Sequence, residues 1–152
     1  MRDDRWEPAL DRVLQLTVLL GRDMADGLAR MGLTEARAHL VWELWARGPC
    51  TQRALASALR VTPRAITALV DGLAETGFVT REPCPTDRRA TLVTFTELGR
   101  ATARALADGH RDLARRLFAG MPAEAFDAFD TGLGHVVNRL GALLAESAAG
   151  GN

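Results

Sequence analysis

Lysine is absent. All 19 basic residues of this 152-residue chain are arginines, and 19 acids bring the formal net charge to zero. A generic polycation is thereby excluded, so attraction to a nucleic acid has to come from charge gathered locally. Tyrosine is also absent, which removes one acid–base group. The two cysteines, Cys50 and Cys84, cannot build a disulfide framework, and a reduced, cytoplasmic setting is expected. No run reaches about 18 consecutive apolar residues, so no membrane span is expected. Met1 to Arg5 lead into no apolar core of a secretion signal. His39, His110 and His135 stand far apart, without the short spacing of metal ligands. There is no glycine-rich phosphate loop, no nucleophile elbow, and no histidine paired with a carboxylate at catalytic spacing. No catalytic residue, metal or cofactor is therefore expected, and the chain reads as a non-enzyme.

What is present is hydrophobic periodicity. Hydrophobic residues make up 47% of the chain, enough for one real core. Leu10, Val13, Leu14, Thr17, Leu20, Met24, Leu28 and Met31 recur at helical spacing and predict a long helix over 7–30, ended by Gly32. Thr34 is a cap for a second helix, with Glu35 well placed in its first turn. Thr51 caps a short third helix. Thr62-Pro63 is a start signal for a fourth, an N-cap followed by proline at the first helical position, and Gly77 stops it. Residues 78–81 read as a strand, 83–90 as a loop and 91–95 as the return strand. Thr96 then caps a helix over 97–118, and Pro122 opens a last helix that is expected to fray from Ser147 to Asn152. Gly132, Gly134 and Gly141 weaken that helix, or break it, unless close helix packing offsets them.

The fold class expected is mainly α with a small β-hairpin wing, as one domain over 1–152. Residues 34–95 would form a winged helix-turn-helix lobe. Residues 7–32 and 97–147 would form flanking helices whose apolar stripes exceed what one small lobe can cover, so a two-fold homodimer is expected.

The third and fourth helices make a helix-turn-helix, in which the second helix enters the major groove N-terminus first. Ile66, Leu69, Val70 and Leu73 must face inward. Arg64, Ala65, Thr67, Ala68 and Asp71 are left outside. Arg64 can pair with two acceptors on a guanine edge, and Thr67 can touch a base or a thymine methyl. Thr51, Gln52, Arg53, Arg60, Thr62 and Pro63 complete this face. Arg53 and Arg60 suit phosphates. Residues 51–70 carry three arginines and no acid. Residues 117–152 carry one arginine against four acids, a net of −3. The neutral total hides a polarised chain.

Beyond this lies CPTDRRATLVTFT, residues 84–96. Its Arg88 and Arg89 sit at a hairpin tip where no core can use them. An arginine-tipped loop beside a recognition helix can reach the adjacent minor groove. Asp87 is expected to hold one of the two guanidinium groups by a forked pair.

Leu55-Ala56, Leu59, Val61, Thr67, Val70, Leu73, Gly77, Val79, Asp87-Arg88-Arg89, Thr96 and Gly99 together resemble the core of MarR-family transcriptional regulators. The matching block, Thr51 to Arg100, is about a third of the chain. The resemblance implies a winged-helix homodimer on a pseudo-palindromic operator of double-stranded DNA, usually as a repressor. It also implies release by a small aromatic or phenolic anion bound between the lobes. The two tryptophans read first as core or interface residues; the alternative from that layout is an effector pocket using His39, Trp42 and Trp45. The family's oxidant-sensing branch has a cysteine near the start of its first long helix, which this chain lacks.

Two alternatives stand beside this reading. One is a winged helix that binds protein, which would not need Arg64, Thr67 or the Asp87-Arg88-Arg89 wing. The other is a redox-responsive regulator acting through Cys84, whose thiol the nearby arginines would acidify.

Overall fold

The computed structural model describes residues 4–150. Among them the order is α1 (Trp6–Arg30), α2 (Glu35–Arg47), α3 (Gln52–Leu59), α4 (Pro63–Glu75), β1 (Val79–Pro83), β2 (Thr91–Phe95), α5 (Glu97–Phe118) and α6 (Ala123–Gly150). The fold is mainly α with one hairpin, a winged helix-turn-helix. The chain divides into two compact units, the first running through Leu106 and the second from Ala107.

Threonines set the helix starts. Thr34, Thr51 and Thr62 are extended, and each side-chain oxygen accepts from the backbone N–H three residues on, at 3.1–3.2 Å. Thr96 does the same for α5, accepting from Gly99 N at 3.0 Å. Such a cap is worth about 1 kcal/mol. Gly32, Gly48 and Gly77 take positive φ where α1, α2 and α4 end, a conformation that costs glycine little.

The core of the first unit is built where α2, α3 and α4 converge on the base of the hairpin. Leu40, Leu44, Leu55, Ile66, Val70, Leu73 and Val93 are its most enclosed large side chains, with Val41 beside them. The inward face expected for α4 is found: Ile66, Val70 and Leu73 are buried and Leu69 is half-buried. The two strands pair antiparallel, Val79 opposite Phe95 through Pro83 opposite Thr91. β1 therefore runs two residues beyond the predicted end at 81. Pro83 is tolerated because a two-stranded ribbon leaves one side of each strand unpaired. Cys50 adds a rung on the other side of β2, donating to Val93 O at 3.4 Å and accepting from Val93 N at 2.8 Å. Cys50 is half-buried, and its desolvation pushes the thiol pKa up.

In the second unit, Phe118 meets Phe126 edge-on at 5.4 Å and Phe129 at 5.8 Å, which fixes the corner between the end of α5 and the start of α6. Helix α6 is continuous through Gly132, Gly134 and Gly141, so the local break does not occur. The helix also runs through Ser147 to Gly150, where fraying was expected; Gly151 and Asn152 lie outside the described residues. No residue of α6 is buried.

Candidate nucleic-acid interface

Helix α4 presents its first turns to solvent. Thr62, Pro63, Arg64, Thr67, Ala68 and Asp71 are exposed, and Ala65 is half-buried. The Thr62 hydroxyl is engaged as the cap of α4 and the Thr51 hydroxyl as the cap of α3. Each keeps a hydrogen that it can give to a phosphate. Free N–H groups at the start of α4 favour the same partner. Arg53, Arg60 and Arg64 are exposed, and none makes an ion pair among the described residues. All three belong to the helix-turn-helix segment, which carries no acid over 51–70.

Arg60 has a feature that sequence reasoning missed. It sits at φ 55°, ψ 44°, in the left-handed region, as the residue that closes α3. Its own N–H reaches Ser57 O at 3.3 Å, and the N–H of Val61 reaches Ala56 O at 3.0 Å. That conformation costs a residue with a Cβ about 1–2 kcal/mol, and glycine avoids it while losing more chain entropy on folding. Arg60→Gly should therefore leave stability level or raise it by about 0.5 kcal/mol in a denaturant titration. If Arg60 neutralises a phosphate, the same variant should lower the slope of log affinity against log salt by about one.

The wing is organised by Asp87, though not as expected. Its carboxylate accepts from the backbone N–H of Arg89 at 3.0 Å, and its carbonyl accepts from Ala90 N at 3.1 Å. The side chain therefore caps a tight turn and holds no guanidinium: a short Asp side chain reaches a backbone N–H two residues on more readily than a long flexible arginine. Cys84 N closes the loop on Ala90 O at 2.9 Å. Arg88 and Arg89 are thus held at the tip, exposed, with no acid paired to either among the described residues. The Cys84 thiol is lowered in pKa by a hydrogen bond with the Thr86 hydroxyl and then by the backbone N–H groups of Thr86 and Asp87. The arginines play no part in that shift.

A polar chain joins α3, α4 and β1. Arg81 Nε donates to Gln52 Oε1 at 2.8 Å, and Arg81 Nη2 donates to Asp71 Oδ1 at 2.5 Å. Gln52 Nε2 donates to Thr67 Oγ1 at 3.1 Å, and Thr67 Oγ1 donates to Pro63 O at 2.9 Å. Gln52 is thus tied inward. Arg81, 29 residues away from it in sequence, had no signal beyond being a basic residue in a strand.

The expected pocket residues all lie on α2. His39 is exposed and lies 4.0 Å from Glu35 along α2. Trp42 and Trp45 are about two-fifths exposed, so neither is a core residue of this chain, although Trp45 stands one turn after the buried Val41 on α2. Trp45 does line a cavity of about 180 Å³, with Leu44, Gly48, Pro49, Phe95 and Arg100. The walls are mostly apolar, with one guanidinium among them. Phe95 and Arg100 were not among the expected pocket residues, because nothing local in the sequence ties them to α2.

Residues 33–91 match the sequence model of the MarR family. The HTH-type transcriptional regulator YwhA of Bacillus subtilis is 22% identical over 120 residues, covering 79% of this chain and 86% of YwhA. Among solved structures, Streptococcus pneumoniae FabT in complex with DNA superposes with a TM-score of 0.75 at 19% identity, covering 91% of this chain and 97% of FabT. Wild-type apo MarR from E. coli superposes with a TM-score of 0.64 at 25% identity, covering 84% and 96%.

Proposed function

We propose that this chain, whose residues 33–91 match the MarR family model, is a DNA-binding transcriptional regulator of that family and acts as a homodimer on a pseudo-palindromic operator, as a cytoplasmic repressor released by a small aromatic or phenolic anion. The observation that carries this reading is the pairing, within one lobe, of an exposed α4 N-terminus bearing Arg64 with an arginine-tipped wing that no acid neutralises. Arg64 reads the major groove, and Arg88 and Arg89 enter the minor groove. Arg53, Arg60, Thr51 and Thr62 hold phosphates. Residues 34–95 are the DNA-binding lobe. Residues 7–32 and 97–147 supply the dimer contacts, a role supported by their exposed apolar side chains. Half-sites then lie about one helical turn apart. FabT, a protein of this fold, was solved with DNA, and duplex DNA is the partner carried over here. The cavity beside Trp45 suits the effector: Trp45 and Phe95 offer faces for an aromatic ring, and Arg100 offers a partner for its anionic group. No described helix is long and apolar enough to cross a membrane.

Selection of bound duplexes from a random pool tests this directly. A palindromic consensus with a steep salt dependence is expected, and benzoate-type anions should release the recovered site. Arg89→Ala should weaken that site by roughly 10- to 100-fold, the scale of a hydrogen bond to a charged group, with the dimer intact by sedimentation. A featureless pool would favour the protein-binding alternative. Normal binding by Arg89→Ala would remove the minor-groove role.

A further inference from the structure

Resting on the DNA-binding reading, we propose that Arg81 is a positioning residue that sets which base the recognition helix prefers opposite Thr67, through Gln52 and without touching that base.

An arginine side chain can only donate. Arg81 Nε points at Gln52 at 2.8 Å, so the atom it meets has to be the amide oxygen. The NH₂ end of Gln52 is then fixed on Thr67, 3.1 Å away, and the Thr67 oxygen has to accept. The hydroxyl hydrogen of Thr67 goes the other way, to Pro63 O at 2.9 Å. With the amide held in this sense, Thr67 has no hydrogen left for a base. It cannot donate to guanine O6 or N7, and what it offers the groove is its methyl, which suits the C5-methyl of thymine.

Asp71 anchors the far end. It stands one turn after Thr67 on the exposed side of α4, and it holds the other arm of Arg81 at 2.5 Å. The pair keeps the guanidinium aimed at Gln52. It also sets a positive charge against a carboxylate that would otherwise face phosphates unopposed. Without Arg81 the Gln52 amide is free to turn over, and Thr67 to rotate its hydroxyl toward a base. The position then reads more than one base.

Two variants isolate this role. Gln52→Leu cuts the relay and leaves the Asp71–Arg81 pair in place. The double variant Asp71→Asn with Arg81→Met removes the anchor while keeping net charge constant. Both are passed through random-pool selection beside the unaltered protein, and their salt slopes are measured. The unaltered protein should favour thymine at one position in each half-site by about fourfold, the worth of one buried methyl contact. Both variants should lose that preference at the same position, keep the rest of the consensus, and keep the salt slope. An unchanged preference in both variants overturns the proposal. So does a uniform loss across all sites with the slope reduced by about one, which would make Arg81 a phosphate contact. If the unaltered protein selects nothing, the DNA-binding reading fails and this proposal falls with it.

Discussion

Gly99→Ala should cripple the protein, lowering stability by about 3 kcal/mol or more in a denaturant titration. A Cβ built on Gly99 would lie 1.7 Å from the carbonyl oxygen of Phe78 and 2.7 Å from its carbonyl carbon. Neither atom can step aside. Phe78 O accepts from Thr96 N at 3.1 Å, and the Thr96 hydroxyl bonds Gly77 O at 2.5 Å while capping α5 through Gly99 N. The Thr96 and Gly99 spacing is thus a mechanical joint: threonine staples the start of α5 to the end of α4, and glycine lets the backbones touch. Gly72→Ala is the matched control. Its Cβ would meet the Arg37 guanidinium at 2.4 Å, but that is the end of a flexible side chain, which can swing away. The helix gains about 1 kcal/mol of propensity in exchange for glycine, so Gly72→Ala should stay within about 1 kcal/mol of the parent. Equal losses in the two variants would mean that the joint at Thr96 and Gly99 is not what holds the end of α4 to α5.

The contrast between those two glycines also separates what the sequence could disclose from what it could not. Helix limits were legible wherever a local chemical reason set them. Thr34, Thr51, Thr62 and Thr96 announce caps, and all four act as caps. The inward face of α4 was legible from its period. The hairpin was placed, but its first strand ends at Pro83, because proline weighs against a strand only where its missing N–H would be needed. Side-chain pairing was a different matter. Asp87 lies beside two arginines in sequence and bonds a backbone N–H instead. Arg81 finds Gln52 and Asp71, and Trp45 shares a cavity with Arg100. These partners are brought together by packing over tens of residues, and neither period nor propensity carries that information. Trp42 and Trp45 show the same limit: their size suggested burial, but both are about two-fifths exposed, and the buried side chains of α2 are Ala38, Leu40, Val41 and Leu44.

Leu140→Glu on helix α6 should convert the protein to a monomer that has lost its operator. Nothing on α6 is buried, yet Val137, Leu140 and Leu144 stand on one face at 60%, 55% and 63% exposure. Phe126, Phe129, Val136 and Leu143 are also exposed large hydrophobics of that helix. Monomers seldom leave so long an apolar stripe in water, and each such side chain fully covered contributes about 1.5–3 kcal/mol. On α1, Trp6, Leu10, Leu14 and Val18 repeat every fourth residue and are exposed as well. A second copy of the chain is the proposed cover for each stripe, which is why the dimer reading accounts for more of the sequence than a lone lobe does. A carboxylate at Leu140 would have to lose its water to enter that contact, at a cost of several kcal/mol. Sedimentation should then report the monomer mass, while circular dichroism keeps the helix content. Operator binding should fall by at least about 100-fold, because a single half-site loses the high effective concentration that a tethered second lobe provides. Arg89→Ala should behave in the opposite way, with the dimer kept and the operator weakened. A Leu140→Glu protein that remained dimeric and bound its operator unchanged would place the interface somewhere other than on α6.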